Sequence, residues 1–149
     1  LARRGIPLLV NDRLDIALAC RAAGAHLGQE DMPVSLARRL LGPAATIGVS
    51  VNTPEEARRA EREGADYVGA GPAYATTTKE TALPVLGPEG IGRVRRATRL
   101  PVVAIGGISP DNAAEIRLAG ADGVAVVSAV LGAPNAQRAA EELLKAFKR

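Results

Sequence analysis

The chain has 149 residues, 47% of them apolar, and its 19 basic and 16 acidic side chains leave a formal net charge of +3. That length holds one domain with a sizeable core, and the composition lacks the bias of a disordered or fibrous chain. Aromatic residues amount to 2% (Tyr67, Tyr74 and Phe147, with no Trp), which excludes the stacking platforms of single-stranded nucleic acid binders and calls for an aliphatic, Ala-rich core. The mild basic excess is scattered over helical segments and suits phosphate-bearing small molecules better than DNA. No apolar run reaches the length of a membrane span and no signal-peptide pattern occurs, so a cytoplasmic protein is expected. Cys20, the single cysteine, has no disulfide partner and is expected to be a buried, inert thiol.

In chain order, short aliphatic runs predict strands at about 6–11, 24–28, 45–50, 66–70, 101–105 and 122–127. Helical periodicity predicts helices at about 13–22, 34–41, 54–63, 88–97, 110–119 and 135–147. Alternation of the two implies a parallel sheet with both faces covered. Three copies of an Ala-Gly-Ala pattern, at Ala23-Gly24-Ala25, Glu63-Gly64-Ala65 (its first Ala replaced by Glu) and Ala119-Gly120-Ala121, read as helix-ending glycines followed by a tight turn into the next strand. Helix starts are marked by Thr53-Pro54-Glu55-Glu56, a capping box with Pro at the first helical position, and by Ser109-Pro110-Asp111, which repeats the cap and the Pro. The connection from Gly71 to Pro88 is far longer than an ordinary βα loop, and such loops are usually functional.

Each apolar run ends in polar or glycine-rich residues. In a (β/α) barrel the C-terminal ends of the strands carry the chemistry, which makes the chain an expected enzyme. Asp12 and Asp31 follow the first two strands, so both carboxylates can project over one mouth; either could equally be an N-cap or Asx-turn residue. Lys79, flanked by Thr76 and Thr78, is either a loop cation for a phosphate leaving group or a solvated lysine. Gly106-Gly107 and Val127-Ser128 end the last two strands, where such barrels cradle phosphate; tight turns alone would also call for the glycines. His26, the only histidine, stands on a strand and reads as a packed barrel residue.

Val10-Asn11-Asp12-Arg13, His26-Leu27-Gly28-Gln29-Glu30-Asp31, Ile47-Gly48-Val49-Ser50, Tyr67-Val68-Gly69-Ala70-Gly71-Pro72, Thr76-Thr77-Thr78-Lys79, Ala104-Ile105-Gly106-Gly107-Ile108 and Val126-Val127-Ser128-Ala129 follow one another across the whole chain. In order and spacing they resemble the thiamine phosphate synthase (thiamine-phosphate pyrophosphorylase) family. The resemblance implies an α/β fold, a TIM (β/α)8 barrel of which this chain supplies strands three to eight. Residues 1–149 would form a single barrel domain, N-terminally incomplete by two βα units, or roughly 60 residues. The family's Gln, Arg and Lys cluster for the pyrimidine diphosphate does not occur before Gly5.

The implied activity is a transferase reaction that joins hydroxymethylpyrimidine diphosphate to thiazole phosphate, giving thiamine phosphate and pyrophosphate by a dissociative route with Mg2+. The resemblance assigns the metal to Asp12 and Asp31, makes Lys79 catalytic and substrate-binding, and gives substrate contacts to Asn11, Ser50, Thr76, Thr78, Gly107, Val127 and Ser128. Glu30 would support the metal indirectly. The implied partners are the two small-molecule substrates, with no nucleic acid and no membrane, and self-association is left open. Two alternatives remain: a thiazole tautomerase-like isomerase, disfavoured by the intact Thr-x-Thr-Lys loop, and a truncated, non-catalytic phosphate-binding fragment.

Overall fold

The computed structural model describes residues 1–78 and 82–148. A 3-10 turn at Ala2–Arg4 precedes β1 (Leu9–Asn11), α1 (Leu14–Ala19), β2 (Gly24–Leu27), α2 (Val34–Leu41), β3 (Thr46–Val51), α3 (Pro54–Glu63) and β4 (Tyr67–Ala70). Then come α4 (Gly87–Ala97), β5 (Val102–Ile105), α5 (Ala113–Leu118), β6 (Gly123–Ala125), α6 (Ser128–Leu131) and α7 (Ala136–Phe147). The six strands form one parallel sheet in the order β1-β2-β3-β4-β5-β6. Because every strand pairs with its successor, the crossovers share one hand and the helices gather on one face. None of the described helices is long and apolar enough to cross a membrane.

The strands' period-2 alternation sorts side chains between two unlike faces. Ala25, Leu27, Ile47, Val49, Val51, Val68, Ala70, Val102 and Ala104 are 0–6% exposed and meet Leu14, Ala17, Val34, Ala37, Ala57, Ala60, Ile91, Val94, Ala113 and Ile116 of the helices. The opposite face is open: His26, Ser50, Tyr67 and Val103 are half-buried, and Asn11 and Ile105 are exposed. Glycine lets the polar rings fit there, since a Cβ at Gly48 would lie 2.1 Å from Tyr67 Cζ.

Helix starts follow their sequence signals unevenly. Thr53 Oγ1 accepts from Glu56 N (3.2 Å) while Glu56 Oε2 accepts from Thr53 N (3.1 Å), so α3 opens on the expected capping box. Ser109 does not cap α5. Its amide instead donates to Asn112 Oδ1 (2.9 Å), Ser109-Asn112 closes a turn, and α5 starts only at Ala113.

Several other expectations are corrected. Gly24 does not end a helix but lies within β2, where a Cβ would stand 1.8 Å from the Thr46 carbonyl oxygen. The left-handed residue after α1 is Arg21, with φ 51°. Cys20 is exposed, because it sits at the outward C-cap of a helix shorter than expected. The first and last strands are short, at Leu9–Asn11 and Gly123–Ala125, and each pairs on one side only. The four-residue helix at Ser128–Leu131 carries too little periodicity to be read from sequence.

Candidate active site at the strand C-termini

Parallel strands aim all their C-terminal ends at one edge of the sheet, and the described residues among those singled out in the sequence stand at or after those ends. β1 pairs β2 with Asn11 opposite His26, so Asp12 leaves the sheet one residue beyond that pair. Its amide donates to His26 O (2.8 Å), Arg13 N donates back to Asn11 O (2.7 Å), and Asp12 takes a φ of 62°. A non-glycine residue held in the left-handed region is strained, and such strain persists where the surroundings over-determine it. The Asp12 side chain is exposed at that turn. Arg13 beside it is occupied by Asp15 (Nε to Oδ1, 2.8 Å), a bond that holds the Asp15 carboxyl down to about 2.

Asp31 closes the turn after β2. Its Oδ2 accepts from Gly28 N (2.6 Å), three residues upstream, so it is neither an N-cap nor an Asx turn, whose bonds run to downstream amides, and the side chain is half-buried. Such a carboxylate keeps lone pairs for a cation, since one oxygen accepts two bonds and the second is a separate acceptor. Among the described residues no group of three or more His, Cys, Asp or Glu side chains gathers into a metal cage. Two hard carboxylates beyond neighbouring strands fit the needs of Mg2+, which takes one or two carboxylates and completes its shell with water and substrate phosphate oxygens. Glu30 is exposed on the same turn.

Ser50 stands near the C-terminal end of β3 with its hydroxyl 2.9 Å from His26 Nε2, and His26 Nδ1 is 2.8 Å from the Tyr67 hydroxyl. The histidine is thus packed on the open face, as expected, and it also orients Ser50. Burial pushes the Tyr67 phenol up from its ordinary value. Gln29 spans the mouth: its Nε2 donates to Ser50 O (2.5 Å) and its Oε1 accepts from Arg59 of α3.

After β4 the long connection leaves as a well-anchored arm. Ala73 N donates to Ile105 O (2.8 Å) and Tyr74 N to Gly106 O (3.0 Å), which extends the β4–β5 edge past the sheet. Tyr74 OH donates to Glu115 Oε2 (3.1 Å), and burial foremost raises its pKa. The arm returns through Leu86 N to Pro72 O and Gly87 N to Ala73 O, each 2.9 Å. Thr76 Oγ1 accepts from Thr78 N (3.2 Å), Thr76 is half-buried and Thr78 exposed. Lys79 lies outside the described residues.

Gly107, with φ 63°, could not carry a Cβ, which would meet Ala75 O at 2.5 Å. The glycine therefore lets the turn after β5 press against the Thr loop. Val127 and Ser128 are exposed at the start of α6, whose Val127 O accepts from Leu131 N (2.8 Å). The first amides of any helix lack intrahelical acceptors and favour an anion. Sequence reasoning passed over Asn52, Gln29 and Tyr67. Asn52 was within reach of it, because Gly48, Ser50 and Asn52 continue one face at period 2.

A parallel βα sheet whose carboxylates, hydroxyls and glycine turns line one mouth defines an enzyme that handles phosphate-bearing small molecules. Residues 1–130 match the thiamine monophosphate synthase family. The chain is 52% identical over 145 residues to the thiamine-phosphate synthase of Moorella thermoacetica, covering 97% of this chain and 69% of that one. It is 53% identical to the thiamine-phosphate synthase of Chloroflexus aurantiacus, covering 95% of this chain and 65% of that protein. A solved thiamine phosphate pyrophosphorylase from Pyrococcus furiosus superposes with a TM-score of 0.89 at 44% identity, over 99% of this chain and 70% of that one. A 3-hexulose-6-phosphate synthase structure, 21% identical with a TM-score of 0.68, shares the fold. The chain belongs to the thiamine monophosphate synthase family, and thiamine-phosphate synthesis is the function this membership gives it.

Proposed function

We propose that the chain supplies strands three to eight of a (β/α)8 barrel, in one domain spanning residues 1–149. In that barrel it joins hydroxymethylpyrimidine diphosphate to thiazole phosphate in the cytoplasm. The observation that carries this reading is that Ser50 stands near the C-terminal end of β3 while Asp12, Asp31, Thr76, Gly107 and Ser128 follow the C-terminal ends of the other five parallel strands. An eight-stranded closure would also cover the open face that bears His26, Ser50 and Tyr67 and pair the outer edges of β1 and β6.

Each residue then has a task. Asp12 and Asp31 would hold Mg2+, which when bound neutralises diphosphate charge. Ser50, fixed by His26 and by Gln29, presents its hydroxyl to the diphosphate, and Asn11 meets the pyrimidine. Thr76 and Thr78 offer hydroxyls to phosphate oxygens. Lys79 meets the charge that builds on the departing pyrophosphate, where a positioned cation lowers the barrier. Gly107 and the amides at Val127 and Ser128 receive the phosphate of the thiazole. Once pyrophosphate leaves, the ring-stabilised pyrimidine cation is captured by the thiazole nitrogen, so no protein nucleophile is required.

The test is thiamine phosphate formation by the chain joined to the two N-terminal βα units of a relative. Asp12→Ala and Asp31→Ala are each expected to cost on the order of 10²-fold or more in kcat/KM, and EDTA to abolish turnover. Turnover unchanged by EDTA overturns the metal assignment.

A further inference from the structure

Asn52 is the most buried polar side chain at the mouth, 8% exposed, and no part of the reaction uses it. Its Nδ2 donates to two carbonyl oxygens far apart in sequence, Gly71 O (2.9 Å) and Pro84 O (3.0 Å). These two residues lie on the outgoing and returning arms of the long connection between β4 and α4. Both partners are acceptors only, so the site demands an amide nitrogen and no carboxylate can replace it. The backbone of Asn52 is fixed in turn, since its amide donates to Glu56 Oε2 (2.6 Å), the same oxygen that closes the capping box of α3.

We propose that Asn52 is a positioning residue, which clamps the two arms of the 71–86 connection and so sets where Thr76 and Thr78 stand at the mouth. The rigid end of α3 is the anchor. From it a chain of bonds runs through Glu56 and the Asn52 amide to both arms, and the arms carry the hydroxyls. The clamp rests on geometry alone; its value for catalysis rests on the phosphate-handling reading above.

Hydrogen exchange on the 149-residue chain tests the clamp. Asn52→Asp keeps the shape but faces two carbonyl oxygens with a carboxylate, so amides on the arms, Ala73, Tyr74 and Leu86, are expected to exchange about tenfold faster or more while β3 and β4 amides stay protected. Protonating the new carboxyl supplies one donor, so after correction for intrinsic rates the protection should return in part as pH falls below its pKa. A packing role alone gives no such pH profile. In the unsubstituted chain both Asn52 side-chain protons should exchange slowly and resonate apart, a readout that needs no variant. Free-amide exchange of those protons, or arms equally protected in Asn52→Asp at all pH, overturns the proposal. Inorganic pyrophosphate separates the two readings. If it shifts no resonance of Thr76 or Thr78 in the unsubstituted chain while Asn52→Asp still frees the arms, the phosphate reading fails and the clamp stands.

Discussion

Asp12 and Asp31 occupy neighbouring strand ends by different local means. A left-handed turn exposes one carboxylate, and a bond back to Gly28 N holds the other. For Asp31 the bond to Gly28 N gives the carboxylate a structural role, and the proposed metal role would use its remaining lone pairs. Lys79 has a sharper expectation. Lys79→Ala in the completed barrel should lower kcat by about 10²–10³ with little effect on the KM for thiazole phosphate, because the charge it meets belongs to the leaving group. Steady-state kinetics decide it, and wild-type kcat would return the residue to a solvated lysine. Tyr67 gives a pH signature. Its phenol is pushed above the ordinary value of about 10 by burial, so the folded state holds the proton more tightly than the unfolded one. The sign follows: this contribution is complete below the unfolded pKa and is lost as pH rises through the folded one. Thermal midpoints should therefore fall from about pH 10 upward, and Tyr67→Phe should flatten that limb.

At the scale of elements, stability comes from the helix-facing side of the sheet, where small and β-branched residues interlock. Ile91 of α4 is fully buried against it. Ile91→Ala should cost about 2–5 kcal/mol in denaturant unfolding, through lost transfer energy and an incompletely collapsed cavity. A loss below about 1 kcal/mol would mean that α4 repacks freely. Between α3 and α4, Glu61 accepts from Thr98 Oγ1 (2.6 Å) and from Arg99 N (3.0 Å), and these bonds lower its pKa. They tie the end of one helix to the end of the next, and so hold the outer layer in register with the strands beneath it.

At the scale of the whole molecule, the six-stranded sheet has β1 and β6 as its edges and an open, partly polar face. Unpaired parallel edges invite pairing with other chains. The 149-residue chain by itself is expected to associate in a concentration-dependent way. Joining it to two further βα units should suppress that association and yield turnover, as read by sedimentation velocity and product assay. A monomer at high concentration that turns over without the added units would refute the eight-strand closure.

What could be read from the chain alone were features written in local physics. The strand–helix alternation, the bounds of α2 and α3, the capping box at Thr53 and the polar strand ends depend on residues a few positions apart, and they recur in the structure. Thr53 and Ser109 carry similar signals, yet only Thr53 caps a helix; Asn112 captures the Ser109 amide and delays α5. Gly24 likewise looked like a helix stop because its sequence neighbours match Gly64, while the decisive neighbour, Thr46, is across the sheet. Tertiary structure alone decided the functional contacts: His26 reaching Ser50 and Tyr67, Gln29 crossing to Ser50, and Asn52 joining Gly71 to Pro84. Each of these bonds couples residues 19–41 positions apart. Local periodicity sets which face a side chain takes, but the partner it meets there depends on how strands distant in sequence come into register.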